Sequence, residues 1–181
     1  MSIAAFVLAL CSLVIATASL GWQVSMWLLT AGRPRVRLKH GLASPVGSYL
    51  SYVPKSGAPA DLYALTRQGI SGEEVVAVQV ANVGRIPLVI TGYSLALEGG
   101  TVRYHVHGEA VGPTLPHTID PGASAMWMAP MERATRLAHA STGVEEHRNR
   151  AFVVVETGLG RAVRTKTAVD LAEARRRNGH E

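Results

Sequence analysis

His105 and His107 stand two positions apart in the run Thr101-Val102-Arg103-Tyr104-His105-Val106-His107. On a β-strand that spacing aims both imidazoles at one face. Neutral imidazole is a common zinc ligand, and His117 follows nearby in the chain. Three converging nitrogens would make a metal-binding or hydrolytic domain. The neighbouring residues oppose this. Arg103 shares the face and repels a cation, and Glu109 is the nearby carboxylate. The expectation is therefore a solvated strand face at His105, His107 and His117, with no metal and no cofactor.

Other motifs are weaker. Gly158-Leu159-Gly160-Arg161-Ala162-Val163 imitates the start of a dinucleotide loop, but Val163 stands where a third Gly or Ala belongs. A Gly-rich hairpin turn fits those residues better. Gly122-Ala123-Ser124-Ala125-Met126 fails as a nucleophile elbow at its last position. Cys11, the single cysteine, lies inside an apolar run where a reactive thiolate is disfavoured. The stretch Val169 to Arg177 ends in Arg175-Arg176-Arg177 and could form a short amphipathic helix. It carries no aromatic residue for base stacking, so nucleic acid is not an expected partner. We read 169–181 as a basic, solvated tail. No catalytic residue is assigned, and an enzyme is not expected.

The segments that position these residues are more informative. No charged side chain occurs before Arg33 in this chain of 181 residues. About 20 apolar residues in a helix span the ~30 Å hydrocarbon layer of a bilayer, and Ile3 to Leu20 is such a run. A cleaved signal peptide is the rival reading, with Ala16-Thr17-Ala18 as its cleavage box. Two features favour a retained anchor over 1–31. Only Ser2 lies between the first residue and the apolar run, so there is no basic n-region, and apolar residues continue past the box to Leu29. Trp22 and Trp27 suit the headgroup level. The small residues Ala5, Ala9, Ser12, Ala16 and Ser19 offer a face for helix oligomerisation in the bilayer, the alternative expectation being a small phage or envelope factor that acts through this helix.

All charge lies beyond the anchor, including the net +5. Arg33, Arg35, Arg37 and Lys39 alternate with Val36 and Leu38, giving one cationic and one apolar strand face. The positive-inside rule keeps such a flank in the cytoplasm, in contact with anionic lipid.

From Val36 onward, apolar runs of period 2 are punctuated by Gly, Pro and Asn. Strands are expected at Val36–Lys39, Gly47–Val53, Glu74–Asn82, Leu88–Leu97, Thr101–His107, Ala123–Ala129, Phe152–Glu156 and Ala162–Lys166. A short helix is expected over Met131–Ala140. The region Gly41–Gly72 reads as loop-rich. The apolar parity switches at Gly92, which predicts a bulge there. The expected core is Val78, Val80, Ile90, Leu95, Tyr104, Val106 and Val154. Asn82-Val83-Gly84-Arg85-Ile86-Pro87 reads as a turn in which Asn or Gly takes a positive φ.

Several of these features occur together in a recognisable order: a helix ending in Gly21-Trp22, a basic strand, a Val-rich strand running into Asn82–Pro87, then Ile90-Thr91-Gly92-Tyr93-Ser94-Leu95, and Pro121-Gly122-Ala123-Ser124 before an aromatic strand. The chain resembles a broad group of bacterial single-pass membrane-anchored proteins, frequent in actinobacteria and their phages. The resemblance implies an immunoglobulin-like β-sandwich of about seven strands, over 32–168, behind one transmembrane helix. It supplies no activity. The expected function is a non-enzymatic interaction or structural module, with the lipid bilayer and a protein as partners.

Overall fold

The computed structural model describes residues 3–30, 32–106, 111–142, 144 and 148–177, with the backbone alone for 27–30. In chain order the elements are α1 (Ile3–Thr30), β1 (Pro34–Ser44), β2 (Gly47–Tyr52), α2 (Leu62–Arg67), β3 (Glu73–Asn82), β4 (Leu88–Glu98), β5 (Arg103–His105), β6 (His117–Ile119), β7 (Ser124–Pro130), α3 (Met131–Ser141), β8 (Arg148–Thr157), β9 (Ala162–Arg164), β10 (Val169–Asp170) and α4 (Leu171–Arg177).

The uninterrupted apolar run forms α1, and within it Ile3–Met26 is long and apolar enough to cross a membrane, with a mean hydropathy of 2.5. Two of its hydroxyls are satisfied within the helix. Ser12 Oγ donates to the Leu8 carbonyl at 2.9 Å, and Thr17 Oγ1 donates to the carbonyls of Leu13 and Val14.

The remainder is mainly β. One antiparallel sheet has the order β2-β1-β3-β7; the other runs β10-β8-β4-β5, with β6 also on β4 and β9 also on β8. The described residues thus hold ten strands, and the additional ones are pieces of two or three residues at sheet edges. Both sheets feed one apolar core, through Leu38, Val76, Val78 and Val80 from the first and Ile90, Leu95, Val153 and Val155 from the second. Trp127 sits among them at 0% exposure.

The expected core needs three corrections. Tyr104 and Val106 are only partly buried, because β5 is a three-residue edge piece. Val154 is buried but lies outside that core cluster, which takes Val153 and Val155 instead. Trp127, on the expected strand Ala123–Ala129, adds to the core. The bulge does fall at Gly92: pairing of β4 with β8 skips between Ile90 and Gly92. That skip buries Leu88 and Ile90 as well as Tyr93, Leu95 and Leu97.

The region 41–72 is more ordered than its pattern suggested. Besides the expected strand, which is β2, it contains the end of β1 and α2. Gly41 makes the β1–β2 pairing possible, since a Cβ there would lie 1.9 Å from the Tyr49 carbonyl oxygen. The segment read as a solvated tail is docked over 169–177. Val169 and Asp170 pair with Ala151 and Arg150 of β8, and Val169, Leu171 and Ala174 join the core. The adjacent run of three arginines outweighs that short apolar set in the sequence pattern.

Candidate functional site at the helix exit

The chain leaves α1 and reaches the β-domain almost at once. Gly32 lies against the turn between β3 and β4; an added Cβ would meet the Pro87 carbonyl oxygen at 3.4 Å and that of Ile86 at 3.6 Å. The Arg33 carbonyl accepts the Val83 N–H at 2.9 Å. Asn82 organises this junction at 1% exposure. Its Oδ1 accepts from the N–H of Gly84 at 3.0 Å and of Arg33 at 3.4 Å. Its Nδ2 donates to the carbonyls of Ile86 at 2.7 Å and Ile119 at 2.9 Å. One side-chain amide therefore ties the helix exit, the β3–β4 turn and the end of β6 together. The positive φ expected at Asn82 or Gly84 is absent; among the described residues only glycines elsewhere take one. Asn82 is required for its two-sided hydrogen bonding instead.

The β8–β9 hairpin lies at the same end. Gly158 N–H donates to the Val89 carbonyl at 2.9 Å, and Gly160 N–H closes the turn on Thr157 at 2.8 Å. The Gly158–Val163 motif is thus a hairpin and its returning strand, with no helix directly behind it. Val83, Ile86 and Leu159 are exposed aliphatic residues here. Arg33, Arg85 and Arg161 are exposed beside them, with Asp120 as an exposed carboxylate.

Along β1, Arg35 and Arg37 are exposed and Lys39 half-buried, while Val36 is half-buried and Leu38 buried. The period-2 reading of this strand fits that pattern. Sequence reasoning missed their partner, Tyr52. The Lys39 Nζ lies 4.7 Å and the Arg37 guanidinium 5.3 Å from the centre of its ring. The Tyr52 hydroxyl donates to Gln79 Oε1 at 3.0 Å. Arg37 hydrogen-bonding to it holds the phenol below its usual pKa. Arg35 and Arg37, with Arg164 and Lys166 from the far end of the chain, border a groove of about 530 Å³. Its apolar lining includes Val36, Leu38, Val53 and Val163. Trp22 is exposed on α1; the side chain of Trp27 lies outside the described residues.

The two described members of the histidine set, His105 and His117, lie apart. His105 is exposed opposite Ser94, and His117 is half-buried opposite Ile90. Those positions lie about 13 Å apart along β4 at the usual strand rise. His117 instead meets Trp127 edge-on, with ring centres 5.9 Å apart. His107 and Glu109 lie outside the described residues. Among the described residues no group of three His, Cys, Asp or Glu side chains could hold a metal ion. Ser124 Oγ accepts from Gln79 Nε2 at 3.4 Å, on a strand rather than an elbow. Arg175 of α4 hydrogen-bonds to His139.

His40, outside the expected histidine set, is fully buried. Its Nδ1 accepts the Ala60 N–H at 3.0 Å, which puts the ring proton on Nε2. Nε2 then donates to Glu74 Oε1 at 2.8 Å. Both nitrogens are occupied, so the ring acts as a clasp between strand and loop. Its signal, a His in phase with the apolar residues Val36, Leu38 and Leu42, is visible in the sequence.

No family model matches this chain, and no curated protein matches it.

Proposed function

We propose that the protein is a non-enzymatic, single-pass membrane protein whose immunoglobulin-like β-domain works in the cytoplasm as an interaction or structural module. The observation that carries the anchor is α1. A helix apolar on every side belongs in a protein core or a bilayer, and every described side chain of Ile3–Met26 is exposed on this chain. At 1.5 Å per residue those 24 residues reach about 36 Å, enough to cross. Trp22 then lies toward one headgroup region. The cations Arg33, Arg35, Arg37 and Lys39 favour the cytoplasmic side.

The immunoglobulin-like reading rests on strand order. In such domains the first, second and fifth strands share a sheet and the third, sixth and seventh share the other. Here β1-β3-β7 and β9-β8-β4 have that partition and sequence. Three departures are that the strand expected beyond β7 is reduced to a single bridge from Val111 to Met128 among the described residues, that β6 pairs with β4, and that β2 extends the first sheet beyond β1.

For a module of this kind the end far from the anchor faces the partner. The β1–β2 turn is there, and Val46 at its tip is 98% exposed. A photo-crosslinking residue at Val46 in living cells should trap a discrete second protein in the membrane fraction. Absence of any product from Val46, Tyr49 and Tyr63 alike would remove the interaction reading.

A further inference from the structure

We propose that the helix-exit end of the β-domain is itself a docking surface for anionic phospholipid. It rests on the reading that α1 spans the bilayer. From Thr30 to Gly32 an extended chain covers at most about 7 Å. Gly32 and Arg33 are packed and hydrogen-bonded onto the β3–β4 turn. Asn82 holds both sides of that contact. The turn therefore cannot swing away from the bilayer surface while the helix stays in it.

What this end presents suits a lipid surface. Leu159 is 79%, Val83 57% and Ile86 40% exposed. On a soluble domain these tips would be exposed at random; here they share the end tethered to the anchor. Aliphatic tips can enter the boundary between headgroups and acyl chains, while guanidinium groups bind phosphate oxygens above it. Arg85 and Arg161 sit next to Ile86 and to Gly160, each within two residues of an aliphatic tip. The carboxylates at this end are Asp120, exposed on the loop after β6, and Glu156, half-buried near the end of β8. The anionic leaflet supplies the complementary charge. A protein partner is disfavoured because the tether leaves it no depth to occupy. Docking would hold the domain upright. Since β1 runs 11 residues away from this end, it would carry Val46 about 36 Å outward.

The test uses the full-length protein, with Cys11→Ser, in vesicles. An environment-sensitive fluorophore is attached at Leu159→Cys or, as the far-end control, at Val46→Cys. In vesicles of phosphatidylcholine with phosphatidylserine, nitroxide lipids should quench the Leu159 probe several-fold more than the Val46 probe. Aqueous iodide should do the reverse. Adding Arg85→Gln and Arg161→Gln should bring the two probes together, as should pure phosphatidylcholine. Equal behaviour of the two probes in protein that resists alkaline washing would overturn the docking and leave the anchor standing. Protein released by that wash would overturn the anchor, and docking with it. Protection of Leu159 in native membranes but not in lipid vesicles would assign the surface to a protein and reject the lipid.

Discussion

Replacing Trp127 with Ala should destabilise the β-domain by about 3–5 kcal/mol, the cost of emptying a large aromatic site in a packed core. The ring is fully buried. Its indole N–H donates to the Pro113 carbonyl at 2.8 Å, so truncation also strands an acceptor. Tyr93 lies 6.4 Å away, ring centre to ring centre, and loses a neighbour. Burial pushes the Tyr93 phenol above its ordinary pKa, and its hydroxyl donates to the Met128 carbonyl at 3.1 Å, next to Trp127 on β7. The damage therefore spreads to a second polar contact across the sheets. Denaturant unfolding of detergent-solubilised protein measures it. A loss below about 1 kcal/mol would mean the two sheets do not depend on this residue.

The second large effect concerns α1. Placing Asp at both Leu13 and Val14, near the middle of the apolar span, should abolish stable membrane insertion. Each charge at a helix centre costs about 2.5–3.5 kcal/mol on insertion scales. The native span has no charge to offset, so the wild-type protein should stay in the pellet after alkaline extraction and the double variant should leave it. A double variant that remains membrane-bound would show that something other than α1 holds the protein.

Different parts of this structure were legible to different degrees. Strands with clean alternation, such as Val76-Ala77-Val78-Gln79-Val80, reveal themselves because burial on one face imposes period 2. The bulge at Gly92 was visible for the same reason, as a change of parity around a residue without a side chain. The docked segment 169–177 was not. Its pairing with β8 is set across the intervening β9 hairpin rather than by local pattern, and local composition is dominated by arginine. Tyr52 was missed likewise, since its contact with Arg37 and Lys39 exists only after β1 and β2 pair. Asn82 was noticed for the wrong reason. Turn propensity pointed to its backbone, whereas its role comes from four side-chain hydrogen bonds to groups on three segments. His40 stood in phase with apolar residues, but nothing local to the sequence announces Glu74 and Ala60 as its partners.

The central claim is that α1 is a retained anchor with the β-domain on the cytoplasmic side. Its most direct test is an alkaline phosphatase fusion at Glu181, since that enzyme gains activity only after export. The account predicts membrane-bound, inactive fusion protein, and a rise in activity when Arg33, Arg35, Arg37 and Lys39 are all replaced by Gln. Full phosphatase activity in the unsubstituted protein would place the β-domain outside and contradict the account.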